Sequence, residues 1–244
     1  MKLCNLILMS KGGVGKSFIS WVIAQYGFTK GYNMYCADTD PGNPTFAGYS
    51  ALKVEYIDIV SRGMQIDRAR FDDLVEKVAE HEGYSVIDTG STTFFPLMSY
   101  MPEARTFDTL KNEGVCVVIH VPLVGGSAVK ETLAALEKVL ECTDVQVVIW
   151  LNGNFGIVEL NGMPITETQL YKKFQDRVLG IVNVKPRAAD TFGIDFSTLL
   201  GNKLTFGEIA NHKFKLAQKQ RFAEVRRELF EQLDEIIDLH ESHG

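Results

Sequence analysis

Residues 3–9 form an apolar run of strand length and residues 16–29 carry the apolar spacing of a helix. Between them the chain reads Ser10-Lys11-Gly12-Gly13-Val14-Gly15-Lys16-Ser17. No other stretch constrains the fold as tightly. Glycines at three of four successive positions let the backbone curl until its N–H groups face inward, a nest for phosphate oxygens. A helix starting near Lys16 aims the positive end of its dipole at the same point. Such a loop needs a strand before it and a helix after it, and both are present in the pattern.

The rest of the chain repeats that alternation. Short apolar, β-branched runs at 34–37, 84–87, 115–121, 145–151 and 178–184 read as strands. Helical periodicity separates them, through Phe71, Leu74, Val75 and Val78, then over 127–140 and 167–174. Strands without polar alternation are buried on both faces, which predicts a mostly parallel sheet with helices on each side. Asn161-Gly162 within 159–164 predicts a small hairpin. Residues 211–239 read as one long helix whose apolar stripe runs through Phe222, Val225, Leu229, Leu233, Ile236 and Ile237. Its first half is basic and its second half acidic. That leaves two readings: a partner or DNA surface on the basic half, or a docked core helix with a solvated outer face. The whole, 1–244, is expected to be one α/β domain, long enough to bury a core without disulfide or metal staples.

Composition closes off other classes. A net charge of −6 argues against a wholly basic nucleic-acid binder. No apolar run approaches the ~18 residues of a membrane span, so no transmembrane segment and a cytoplasmic location are expected. The 4 cysteines share no C-x-x-C spacing and the 5 histidines form no H-E-x-x-H pattern. Gly125-Gly126-Ser127-Ala128-Val129 lacks the last glycine of a serine-hydrolase elbow.

Within the glycine loop, Lys16 is placed to reach terminal phosphates and the Ser17 hydroxyl to ligate Mg²⁺. The strict pattern G-x-x-x-x-G-K-[ST] would need glycine where Ser10 stands. The run Lys11-Gly12-Gly13-Val14-Gly15-Lys16-Ser17, with its second lysine, instead resembles the deviant Walker A loop of the ParA/MinD ATPases. The likeness continues through Ala37-Asp38-Thr39-Asp40-Pro41-Gly42-Asn43, Val86-Ile87-Asp88-Thr89-Gly90 and Val148-Ile149-Trp150-Leu151-Asn152. Within that family the chain is most similar to the TraL proteins of plasmid conjugative transfer, through Thr45–Tyr49, Thr191–Ser197 and the stretch from Gln218 to Asp234.

This resemblance implies a single P-loop NTPase domain that binds ATP and Mg²⁺ and hydrolyses ATP slowly as two copies close into a nucleotide-sandwich homodimer. It implies that Gly12, Gly13, Val14, Gly15, Lys16, Ser17 and Phe18 cradle the nucleotide and that Lys11 crosses to the partner's phosphates. Asp40 would position the attacking water. Asp38 would meet the Mg²⁺ shell or Lys16, Asp88 would hold Mg²⁺ through water, and Asn152 would read adenine. Conjugation or relaxosome proteins are the implied partners, with direct DNA contact left open. Taken alone, Asp38 and Asp40 also suit turn or capping roles, and Asn152 before Gly153 suits a turn. A small-molecule kinase or ligase on the same scaffold, or a non-hydrolysing nucleotide-gated binding module, are the competing functions.

Overall fold

The computed structural model describes residues 1–61 and 65–243, with side chains to residue 238. The chain runs β1 (Lys2–Ile7), α1 (Lys16–Lys30), β2 (Met34–Asp38), β3 (Glu55–Tyr56), α2 (Arg68–Glu80), β4 (Tyr84–Asp88), α3 (Phe94–Glu103), α4 (Thr106–Asn112) and β5 (Val115–Val124). It continues with α5 (Val129–Cys142), β6 (Gln146–Asn152), β7 (Glu159–Leu160), β8 (Met163–Pro164), α6 (Gln169–Phe174), β9 (Val178–Val184), α7 (Ile194–Gly201) and α8 (Leu216–His243).

Seven strands form one sheet in the order β3-β2-β4-β1-β5-β6-β9, and every pairing in it is parallel. The period of two along β1 explains why its run looked uniformly apolar. Cys4 and Leu6 pack into a core with α2, α3, α4 and α5, while Leu3 and Ile7 pack into a second core with α1, α7 and α8. The hairpin forms as expected, with β7 antiparallel to β8 and both Asn161 and Gly162 at positive φ, the geometry of a type I′ turn.

Four elements had no strong sequence signal. Strand β3 is two residues long. Helix α3 carries Pro96 and Pro102, which sit in its first and last turns where a missing N–H or a blocked continuation does little harm. Helices α4 and α7 span only seven and eight residues. The C-terminal helix begins at Leu216 and not at residue 211. Residues Phe206–Asn211 form a tighter 3₁₀ segment, started by a reciprocal Thr205–Glu208 capping box. The Gln218 side chain then accepts the Lys215 N–H at 2.8 Å, capping α8 anew. The apolar stripe does dock: Phe222, Val225, Leu229, Leu233 and Ile236 are all buried. Among the described residues no helix is long and apolar enough to cross a membrane.

On the outer edge of the sheet the Gln232 carboxamide pairs with one backbone unit of β9. It accepts the Asn183 N–H at 2.7 Å and donates to the Asn183 carbonyl at 3.2 Å. In the interior, Trp150 Nε1–H donates to His120 Nδ1 at 3.0 Å, so Nδ1 carries no proton and the Nε2–H donates to Asn5 Oδ1 at 3.0 Å. Asn5 passes its own donor to the Ser85 carbonyl at 3.2 Å. Burial holds His120 neutral and pushes its pKa down to about 3.

The unfolded chain binds a proton at His120 near pH 6.5 while the native state does not, so this group's stabilisation is complete above 6.5 and drains away as pH falls toward 3. The stability gap between the native sequence and His120→Gln, followed by urea unfolding, should therefore narrow by about 1.4 kcal/mol per unit between pH 6.5 and 4. A pH-independent gap would show that the imidazole is already charged in the fold.

Candidate nucleotide site

The residues singled out in sequence gather at the carboxyl ends of β1, β2, β4 and β6, the edge where open parallel sheets place ligands. Ile7 and Asp38 both stand level with Asp88 in the sheet register. Two threonines stitch these ends together. Thr39 donates both its N–H and its hydroxyl to the Asp88 carbonyl, each at 2.9 Å, and the Thr89 hydroxyl donates to the Ile7 carbonyl at 2.6 Å.

Between β1 and α1 the loop takes the curled shape that its glycines allow. Gly13 has φ 74° and Gly15 φ 106°, both left-handed. Gly15 is needed twice over, since a Cβ there would stand 2.9 Å from the Asn152 Nδ2. No side chain caps the N-terminus of α1, so its first-turn N–H groups remain open to an external acceptor. Val14 is buried and Gly12 abuts Ser91.

Three charged side chains lie beneath this loop, all almost fully buried: Lys16 at 7% exposure, Asp38 at 0% and Asp88 at 0%. Among the described residues the Lys16 ammonium donates only to the Lys11 carbonyl, at 3.4 Å. Burial lowers its pKa, and the nearby Asp88 and Asp40 charges oppose that shift. Asp38 is anchored, accepting from the Asp40 N–H at 3.0 Å and the Ala47 N–H at 2.9 Å. Burial raises its pKa and those two bonds pull it back.

Asp88 is different. Both of its carboxylate oxygens are buried with no hydrogen-bond partner among the described residues. The Ser17 and Ser20 hydroxyls lie close enough to favour its charged form, but neither completes a bond; Ser20 donates to the Lys16 carbonyl at 3.2 Å instead. Desolvation therefore dominates and raises the Asp88 pKa to about 7. An orphaned, desolvated carboxylate beside a lysine and a serine hydroxyl suits the water shell of a divalent cation arriving with phosphates. Among the described residues no group of three or more His, Cys, Asp and Glu side chains is arranged as a metal cage. That is compatible with Mg²⁺, which keeps its waters and substrate oxygens and dispenses with an all-protein cage.

Asp40 and Lys11 stand apart from this buried set. Asp40 Oδ1 accepts the Gly42 and Asn43 N–H groups at 2.9 and 3.1 Å, a turn-forming role. It also faces Gly90, whose absent Cβ would come within 2.8 Å of the same oxygen, so Asp40 touches the segment after β4. The Lys11 ammonium pairs with Glu131, in the first turn of α5, at 3.1 Å, and its side chain is 42% exposed.

Asn152 is buried and occupied. Its Nδ2 donates to the Val14 carbonyl at 3.0 Å and its Oδ1 accepts the Asn154 N–H at 3.3 Å, so it holds the glycine loop to the end of β6.

A cleft of about 260 Å³ opens beside the loop, floored by Gly13, Gly15, Phe18 and Asn152. Its walls include Phe155, Phe192 and Phe196, with Arg187 and Glu228, and none of Asp38, Asp40 or Asp88. Sequence reasoning assigned no role to these wall residues. They come from three separate segments, distant from one another in the chain. One signal was present, the two-residue step Pro186-Arg187 directly after an apolar strand, where ligand-contacting loops of parallel sheets begin.

No family model matches the chain. A protein named TraL from Escherichia coli is 37% identical over 233 residues, covering 94% of this chain and 96% of that protein. A second Escherichia coli protein of the same name is 35% identical over the same lengths. Among solved structures, a putative plasmid partition protein from Borrelia burgdorferi bound to AMPPNP aligns over 100% of both chains, with a TM-score of 0.47 and 15% identity. The MinD cell division protein of Aquifex aeolicus aligns over 93% of this chain and 96% of its own, with a TM-score of 0.45 and 13% identity. Those two likenesses are too loose to bear on what the chain does. The sequence likeness is not: at more than a third identity over nearly the whole length, the chain belongs to the TraL family.

Proposed function

We propose that the chain binds ATP with Mg²⁺ and hydrolyses it slowly, as two copies close on the nucleotides, in the service of plasmid conjugative transfer. The observation that carries this reading is the orphaned Asp88 carboxylate beside buried Lys16, under a glycine nest whose helix N-terminus is open. A buried charge pair without full hydrogen bonding is costly to a fold unless a ligand completes it.

The division of the site supports a nucleotide in particular. Phosphates fit over Gly12 to Ser17, where backbone N–H groups and Lys16 supply positive potential. The phenylalanine-walled cleft opens on the glycine side of the loop, away from the Asp38–Asp40–Asp88 group, and offers aromatic rings against which a flat base can stack. Bound Mg²⁺ would supply charge neutralisation at the β and γ oxygens.

The chain's own residues do the rest. Lys16 neutralises the terminal phosphates, the Ser17 hydroxyl and Asp88 orient the cation's shell, and Asp38 fixes the segment that carries Asp40. Asp40 keeps its second oxygen for the attacking water, and Lys11 leaves Glu131 to reach the other copy's phosphates. An exposed pair such as Lys11–Glu131 contributes at most about 1 kcal/mol, so releasing it is easy. Membership of the TraL family supports conjugation proteins as the partners.

Asp88→Asn tests the metal half of this reading. The native Asp88 pKa lies above its unfolded value, so the group stabilises the fold at low pH and that contribution is lost as pH rises from about 4 to 7. Without ligand, Asp88→Asn should be more stable than the parent by roughly 2–4 kcal/mol at pH 8, with little difference at pH 4. ATP should then stabilise the parent further when Mg²⁺ is added and the variant not at all. Equal Mg²⁺-dependent gains in both proteins would remove Asp88 from the site.

A further inference from the structure

The far wall of the cleft is the segment of residues 185–193, between β9 and α7, and charged pairs fasten it to α8. Arg187 is only 18% exposed and spans two carboxylates one helical turn apart, Glu224 at 2.7 Å and Glu228 at 2.6 Å. Lys185 adds a third contact, to Glu228 at 3.3 Å. The Arg187 guanidinium lies over the Phe192 ring, 4.9 Å from its centroid. A second guanidinium, that of Arg221 on α8, lies 5.8 Å from the same ring and is itself paired with buried Asp195 of α7. The backbone through Ala189–Gly193 makes a single π-helical turn, a local geometry often found where a side chain is presented to a ligand.

Docking α8 does not require any of this, because Phe222, Val225 and Leu229 already bury its apolar stripe. What the pairs add is orientation. A planar guanidinium held by two carboxylates cannot rotate freely, and it fixes the ring stacked against it. That ring lines the cleft whose floor is Gly13, Gly15 and Phe18.

We propose that α8 is part of the nucleotide site: Phe192 is the surface on which the purine base rests, and Arg187, clamped by Glu224 and Glu228, is the positioning residue that keeps it there. The inference rests on the nucleotide reading above and adds to it a base-holding device built from the C-terminal helix. Affinity for the base then depends on α8 carboxylates, while affinity for the phosphates depends on the glycine loop and the carboxylates beneath it.

The two halves can be separated with a ligand that has no base. Calorimetric titrations of the full chain with ATP, ADP and inorganic tripolyphosphate, each with Mg²⁺, compare the parent with Arg187→Ala, Phe192→Leu and Phe192→Tyr. Arg187→Ala and Phe192→Leu should each weaken ATP and ADP about tenfold, or about 1.4 kcal/mol, and leave tripolyphosphate within about twofold of the parent. Phe192→Tyr, which keeps a flat ring, should keep ATP affinity. Should Arg187→Ala fail to fold, the two Phe192 variants, which alter no charge, carry the test. Undiminished ATP affinity in Phe192→Leu overturns the proposal, as does an equal loss of ATP and tripolyphosphate, which would mark a merely structural role. A parent that binds tripolyphosphate as tightly as ATP also overturns it while sparing the phosphate loop; a parent that binds neither defeats the nucleotide reading itself.

Discussion

Lys16→Ala is expected to abolish nucleotide binding, with ATP affinity falling by a factor of at least about 10²–10³, or about 3–4 kcal/mol. Lys16 is a nearly buried cation that donates to a loop carbonyl at 3.4 Å, and Asp88 and Asp40 exert charge on it from nearby. Removing it leaves the phosphates facing buried carboxylates with no compensating charge, and repulsion adds to the lost attraction. The fold itself should survive, since no buried group depends on the ammonium as its sole donor apart from the ligand. Titration calorimetry checks the affinity and thermal unfolding checks the fold. A folded variant that binds ATP normally would overturn the assignment of the glycine loop.

Lys11→Ala is expected to behave in the opposite way, retaining ATP but losing turnover by about 10³-fold, the scale of a cationic finger supplied in trans. In the isolated chain Lys11 lies outside the buried cluster, half exposed and paired with Glu131, so its removal disturbs neither Lys16 nor the carboxylates. Specific activity of the parent should climb with protein concentration as copies pair. For Lys11→Ala it should stay low and flat across the same range. Equal rates in the two proteins, independent of concentration, would show that the lysine does not act between copies.

How much of this was legible in the sequence depends on how far apart the participating residues lie. The glycine loop and the Asn161-Gly162 hairpin are local: the φ values they need are dictated by a few adjacent residues, and they formed as the sequence implied. Asp38 and Asp88 were also legible, because each closes a strand whose end must face the loop in a parallel sheet. Asp40 was readable in two ways; in the structure one of its oxygens makes a turn, and the residue lies against Gly90. The phenylalanine-walled cleft was not legible. Phe155, Phe192, Phe196 and Glu228 converge only after β6, β9, α7 and α8 have packed, and a phenylalanine at helical spacing looks the same whether it fills a core or lines a groove. Asn152 was read from its place after an apolar strand; in the structure it closes β6 and its carboxamide ties down the Val14 carbonyl. The start of the last helix moved from 211 to Leu216, because the chain through Phe206–Asn211 winds as a 3₁₀ segment and Gln218 caps the helix afresh at Lys215.

The carboxamide of Gln232 has a consequence for how molecules of this protein meet. A terminal strand leaves an unused donor and acceptor at every second residue, an invitation for a neighbouring chain to extend the ribbon. Here one side chain satisfies such a rung on β9, imitating the strand that would otherwise join. The flank is thereby blunted against fibrous stacking, and concentrating many copies of the chain does not invite aggregation from that side.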